Sequence, residues 1–185
     1  MIKKLTILKF AACLTMLLLG VYVNGQAQEK TKRIGNKPRH GSSNSTHNVV
    51  KGNQIGIKME AGKKPVQLLT LDFGVTNTST QPLKFKVNVY EFNDILSGEN
   101  FVKKDIVAEI PTGKTRVNVD LSPYNLEVKR DLLVTIEWLE TVAGAAPAFA
   151  IGVFNGGSFE YANGKWKKIP LFGLDFNITV KKLKK

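Results

Sequence analysis

The chain has 185 residues, with 27 Lys+Arg against 15 Asp+Glu, one Cys, two His and 43% hydrophobic residues. One domain of ordinary size fits that length and can bury enough surface to fold without a metal or disulfide staple. The average charged fraction and the apolar content exclude wholesale disorder, while a net charge of +12 favours anionic partners.

Residues 1–25 read as a signal peptide. Lys3 and Lys4 give a positive start, and after Lys9 an apolar run extends from Phe10 to Val23. That run suits the core of an export signal and falls short of the ~20 residues that span a bilayer. Small residues place cleavage after Gly25 or Ala27. An uncleaved anchor is the alternative, because counting back through Leu5 lengthens the apolar stretch. Phe10-Ala11-Ala12-Cys13 resembles a lipoprotein attachment box, but the apolar and small residues after Cys13 argue against lipidation. Cleavage removes Lys3, Lys4, Lys9 and the only Cys, lowering the net charge from +12 to +9. The mature chain then has no transmembrane span, no disulfide and no thiol nucleophile. Its expected location is secreted, periplasmic or on the outer surface.

Residues 26–48 are polar and basic, with Lys30, Lys32, Arg33, Lys37 and Arg39 opposed only by Glu29. A Gly41–Thr46 run of small polar residues follows, without apolar periodicity, so this segment reads as a flexible lead-in. The folded domain is expected over residues 49–185.

From there the pattern has period two. Ile55, Ile57 and Met59 alternate with Gly56 and Lys58, and Leu69, Leu71, Phe73 and Val75 with Thr70, Asp72 and Gly74. Leu83, Phe85, Val87 and Val89 form the next set, then Val117, Val119 and Leu121. Leu132, Val134, Ile136 and Trp138 follow, and Leu174, Phe176, Ile178 and Val180 close the series. Each set marks a strand with one face on a core and the other toward water. Shorter strands are expected over 101–110, 147–154 and 157–168. Asn163-Gly164 predicts a two-residue type I′ hairpin turn, because both positions need positive φ. No segment sustains a helical period. Eight or nine short strands without crossover helices predict an all-β, antiparallel two-sheet sandwich, jelly-roll or immunoglobulin-like.

Four stretches carry a resemblance: Phe85–Tyr90, Thr115–Tyr124, Val134–Trp138 and Trp166–Pro170. Together they resemble an uncharacterised secreted β-sandwich domain of Bacteroidota, often found with carboxypeptidase-regulatory-like domains. The resemblance covers roughly residues 50–183 and lies in strand and turn sequences. It implies an exported or envelope-associated protein and transfers no catalytic residue, so function must come from the site.

Chemistry-bearing residues are sparse. His40 and His47 lie in the lead-in, where no base is held against a hydroxyl, and two His without Cys do not fill a zinc site. Glu137 and Glu140 are three residues apart on a strand and point to opposite faces, which does not suit a glycosidase pair. Asp120, Glu109 and Glu91 are the carboxylates that the fold would have to gather. The loop Glu91–Asn100 collects oxygen ligands without matching a calcium-loop pattern. No metal or cofactor is implied.

The aromatic residues point to binding. Trp138 shares parity with core residues, whereas Tyr161 and Trp166 flank the Asn163-Gly164 turn with Lys165, Lys167 and Lys168 beside them. Exposed Trp and Tyr stack on the apolar faces of sugar rings, so these five residues are the candidate ligand site. The basic lead-in, the 165–168 cluster and the Lys181–Lys185 tail suit an anionic envelope polymer such as a polysaccharide. No nucleic-acid recognition motif appears. The expectation is an exported, non-catalytic β-sandwich binding or adhesion module of the cell envelope. Its alternatives are a small glycan-active hydrolase with paired carboxylates, and an accessory subunit that pairs with a protein partner through edge strands.

Overall fold

The structure, a computed structural model, describes residues 30–37, 43–93 and 98–183. The chain divides into residues 1–30, of which only Lys30 is described, and Thr31–Lys185. The expected signal peptide and His40 lie outside the described residues, as do Lys184 and Lys185 of the basic tail.

Fourteen strands occur among the described residues, with a single 3-10 turn at Ser122–Tyr124. In chain order they are β1 (Thr31–Gly35), β2 (Asn44–Thr46), β3 (Gln54–Glu60), β4 (Val66–Asn77), β5 (Leu83–Glu91), β6 (Ile106–Ile110) and β7 (Gly113–Asp120). Then come β8 (Glu127–Val128), β9 (Asp131–Trp138), β10 (Ala148–Val153), β11 (Ser158–Ala162), β12 (Lys165–Ile169), β13 (Phe172–Leu174) and β14 (Asn177–Lys182). Among the described residues, no helix is long and apolar enough to cross a membrane.

All pairings are antiparallel and form two sheets. One has six strands in the order β12-β11-β3-β9-β5-β6. The other has eight, following β1-β14-β4-β10-β13, with β7 and β8 on β4 and β2 on β10. The expected sandwich is therefore present, with fourteen strands in place of eight or nine. The additional strands are short ones whose alternation is too weak to read. In β1 only Ile34 is buried, and in β2 no residue is.

This also corrects the flexible lead-in. Thr31–Gly35 pairs with Asn177–Lys181 of β14, and Asn44–Thr46 pairs with Ala148–Ala150 of β10. Backbone hydrogen bonding, which any sequence supplies, fixes these segments where side-chain pattern is silent. The run Leu174–Val180 is likewise not one strand, since β13 pairs with β10 and β14 with β4. The 157–168 region is the expected hairpin, and its turn has φ 52° at Asn163 and 76° at Gly164.

The facing sides of the sheets enclose the core. Phe73 of β4 is its centre, with ring centroids 4.7 Å from Phe176, 5.8 Å from Phe149 and 5.8 Å from Phe85 of the opposite sheet. Trp138 is fully buried beside them, as its parity predicts. Truncating a buried aromatic of this kind costs about 3–5 kcal/mol, so this aromatic stack is what clamps the two layers together.

Candidate functional site

The outward side of the six-stranded sheet departs from the simple alternation of core and water. Gln54, Asn88 and Thr135 have the parity expected to meet solvent, yet all three are buried. Register explains where they meet. Gly56, Thr135 and Asn88 stand side by side across β3, β9 and β5, and Gln54, Glu137 and Lys86 form the adjoining row. Short polar side chains on neighbouring strands thus satisfy one another. Gln54 Oε1 accepts from Thr135 Oγ1 at 2.8 Å, Tyr90 Oη at 3.2 Å and Asn88 Nδ2 at 3.4 Å. Asn88 Nδ2 also donates to Glu137 Oε2 at 2.9 Å, and Asn88 Oδ1 accepts from Asn100 Nδ2 at 2.9 Å. Lys86 Nζ lies 3.3 Å from Glu137 Oε1. A buried polar network that is satisfied in this way fixes side-chain positions closely.

Aromatic rings stand over that floor. Trp166 faces Tyr161 across the β11–β12 hairpin, with centroids 5.1 Å apart and planes at 53°. On its other side Trp166 meets Tyr90 of β5 edge-to-face, at 6.1 Å and 80°. Three strands separate β5 from β12, so a flat sheet would set them four spacings, about 19 Å, apart. Register adds to this distance, because Tyr90 lies in the row of Lys58 and Trp166 in the row of Gln54. Contact between these rings requires the sheet to curl toward its outer face. Gly56 allows the curl: a Cβ there would stand 2.0 Å from the Val134 carbonyl oxygen and 2.7 Å from Thr135 Cα. Phe92 and Phe159 extend the aromatic surface at 5.6 Å, with Lys58 Nζ 5.0 Å from the Phe92 centroid.

Burial is the largest influence on the Tyr90 phenol and pushes it above its ordinary value; Glu137 and Tyr161 add to this, while Gln54 and Lys86 oppose it. Tyr90 therefore keeps its proton at neutral pH and serves Gln54 as a donor.

The five residues singled out in the sequence are divided by this arrangement. Tyr161, Trp166 and Lys168 share the outer face, and Lys168 Nζ lies 5.9 Å from the Phe159 centroid. Lys165 and Lys167 alternate with them and point to the other side of the hairpin. Tyr161 and Trp166 are half-buried and tilted, so they form a wall of the curled face and not a flat platform at the sandwich end. Sequence reasoning missed Tyr90, Gln54, Asn88, Thr135 and Phe92. Their signal was the run of short polar residues at outward positions of adjacent strands, readable only once strand order is known.

The other candidates are dispersed or engaged. Asp120 lies on the eight-stranded sheet and accepts from Ser122 N and Oγ at 2.9 and 2.6 Å. Glu109 and Glu91 are at opposite ends of the β5–β6 ladder region, opposite Lys84 and Leu132. In the Glu91–Asn100 loop, residues 94–97 lie outside the described ones. Its Asn100 Oδ1 accepts from Val102 N at 3.0 Å and Val89 N at 3.3 Å, and Glu99 pairs with Lys103. Among the described residues, no group of three or more His, Cys, Asp or Glu could hold a metal ion.

His47 is the clearest departure from expectation. It is buried, with Nδ1 3.7 Å from Glu160 Oε1 and Nε2 3.2 Å from Ser45 Oγ, and its ring meets Phe149 at 6.0 Å. Backbone pairing of β2 with β10 carries it there, so it bridges the eight-stranded sheet to β11 of the other.

No protein-family model matches the chain, and no curated protein matches its sequence. Among solved structures it is similar to the cysteine protease and lectin-like domains of Cwp84, a surface-layer-associated protein of Clostridium difficile. The TM-score is 0.58 at 12% identity, and the match covers 83% of this chain and 36% of that one. At this identity the likeness is one of fold: the chain is an antiparallel β-sandwich of the kind found in that protein.

Proposed function

We propose that the protein is an exported, non-catalytic β-sandwich module of the cell envelope that binds glycan on the curled outer face of its six-stranded sheet. One observation carries the reading: Tyr90, Trp166 and Tyr161 form a contiguous aromatic wall beside the hydrogen-bonded floor of Gln54, Asn88, Thr135 and Glu137. Neutral sugars present apolar ring faces and hydroxyl rims to a protein. Aromatic rings take the first, and the partly exposed Lys86 and Glu137, held in place by the buried amides, take the second. Lys86 and Lys168 add positive charge to the rim and suit an acidic sugar.

Export is supported by the apolar segment Phe10–Val23 after Lys3 and Lys4. The solved structure of similar fold comes from a protein named for a lectin-like domain and a surface layer, which agrees with this reading. A non-catalytic role is supported by Glu137, whose carboxylate is ion-paired with Lys86 and held by Asn88, as suits an orienting group.

The test is glycan-array binding followed by titration calorimetry on the retained glycan. Trp166→Ala and Tyr90→Phe should weaken binding by about tenfold or more, in line with 1–2 kcal/mol for a lost stacking or hydrogen-bonding partner. Absence of any glycan signal, or wild-type affinity in both variants, removes the proposal. Hydrolysis of the bound glycan that Glu137→Gln abolishes would establish the catalytic alternative instead.

A further inference from the structure

Most large apolar side chains lie inside the sandwich, but one group lies outside it. Val153 and Phe172 face each other across the β10–β13 pair. The loop residues on either side, Phe154 and Leu171, continue the patch, and Phe154 is 82% exposed. Scattered exposed apolar residues need no explanation, whereas four that adjoin mark an interaction surface.

The backbone holds these residues outward at a cost. Phe154 and Leu171 have φ of 56° and 73°, and bulky side chains in that region are strained by about 1–3 kcal/mol. A set of contacts maintains the conformation. Asn36 Nδ2 donates to the carbonyls of Leu174 at 2.6 Å and Asn155 at 3.3 Å. Ser158 Oγ donates to the Phe172 carbonyl at 2.6 Å and accepts from Leu174 N at 3.1 Å. Gly173 lets the two loops touch, since a Cβ there would stand 2.1 Å from the Asn155 carbonyl oxygen. The result is an exposed apolar cluster on a hydrogen-bonded base.

Its collar is basic. Lys37 follows Asn36, and Lys167 and Lys168 lead into Ile169-Pro170-Leu171-Phe172; all three lysines are exposed. Lys58 and Glu60 line the groove beneath Phe154 and Asn155. Glu160, opposite Lys167 in the hairpin, is turned toward His47.

We propose that Phe154, Leu171 and Phe172 insert into the interfacial layer of an anionic phospholipid bilayer, with Lys37, Lys167 and Lys168 against its headgroups. Two terms act together: transfer of apolar area out of water, and attraction of the lysines to the negative surface. An exposed apolar cluster suits a deformable bilayer, and charge complementarity with Lys37, Lys167 and Lys168 selects an anionic one. The inserted side chains are not those of the curled face, and only Lys168 belongs to both surfaces.

The test uses the full chain with Cys13→Ser and Phe154→Cys, labelled at position 154 with an environment-sensitive fluorophore. A second chain carries the label through Thr112→Cys, next to Gly113, which pairs with Asn77 at the far end of the β4 ladder. Circular dichroism matching the unlabelled protein confirms that both are folded. Vesicles of phosphatidylglycerol and phosphatidylcholine should give a blue shift and a several-fold intensity rise at position 154. Position 112 should not respond, and pure phosphatidylcholine should give a much smaller change. Silence at position 154 while the chain sediments with vesicles overturns the proposal, as does an equal response at position 112. A concentration-dependent shift without lipid overturns it in favour of a second copy of the chain.

Discussion

Asp175, only 1% exposed, holds its Oδ2 2.9 Å from Nη1 of Arg116. The same guanidinium donates through Nε to Asp72 Oδ1 at 2.7 Å, while the Gly74 N–H donates to Asp175 Oδ1 at 2.8 Å. Arg33 of β1 reaches the second oxygen of Asp72. One guanidinium therefore ties β7 to β4 and to the segment between β13 and β14, under an open groove of about 730 Å³ on the outside of the eight-stranded sheet.

Arg116→Ala removes the guanidinium from the buried Asp175 carboxylate, which keeps the Gly74 N–H. Breaking a buried pair costs about 3–5 kcal/mol, and the low end, about 3 kcal/mol, is expected because Arg116 is 30% exposed and Arg33 still serves Asp72. A urea unfolding series measures this, and adding Asp175→Asn should recover part of the loss. A cost below about 1 kcal/mol would show that the pair is solvated.

His47 makes stability depend on pH. Burial lowers its pKa below the ordinary value near 6.5, and the Glu160 carboxylate only partly opposes this. In the interval between the folded and unfolded pKa values the unfolded chain binds the extra proton, so stability falls as pH falls. The contribution is complete above pH ~6.5 and is lost progressively below it, by at most about 1.4 kcal/mol per pH unit. Urea midpoints at pH 8 and pH 5.5 should differ more for the wild type than for His47→Gln; equal differences would remove His47 as the cause.

Gly56→Ala tests the curl of the six-stranded sheet. The added methyl meets the Val134 carbonyl and the Thr135 backbone, neither of which can swing aside. The expected loss is about 3 kcal/mol, the upper range for an overpacked site. Thermal unfolding checks the loss, and quenching of Trp166 should rise as its contact with Tyr90 opens. An unchanged midpoint with unchanged quenching would mean that the sheet curls without needing this glycine.

Alternation made the central strands legible. In β5, Leu83, Phe85, Val87 and Val89 are all fully buried, as their spacing demands, and Asn163-Gly164 forms its turn because local φ preferences decide it. The strands at Thr31–Gly35 and Asn44–Thr46 were not legible, since partners distant in sequence supply their hydrogen bonds and their own side chains stay mostly in solvent. For the same reason His47 reads as part of a linker and folds as a buried inter-sheet contact.

The candidate site shows the same division at finer scale. Tyr161 and Trp166 were identifiable because a short turn places them opposite each other, a relationship local to the hairpin. Tyr90 was not, because its contact with Trp166 reaches over three intervening strands of a curled sheet. Side-chain periodicity and turn chemistry are properties of neighbouring residues, so the sandwich, its core faces and its tightest turn follow from local pattern alone. Strand order, curvature and the burial of Gln54, Asn88 and Thr135 depend on which distant segments pair. These emerge with the folded chain, because a strand's hydrogen bonds carry no side-chain signature of the partner they will choose.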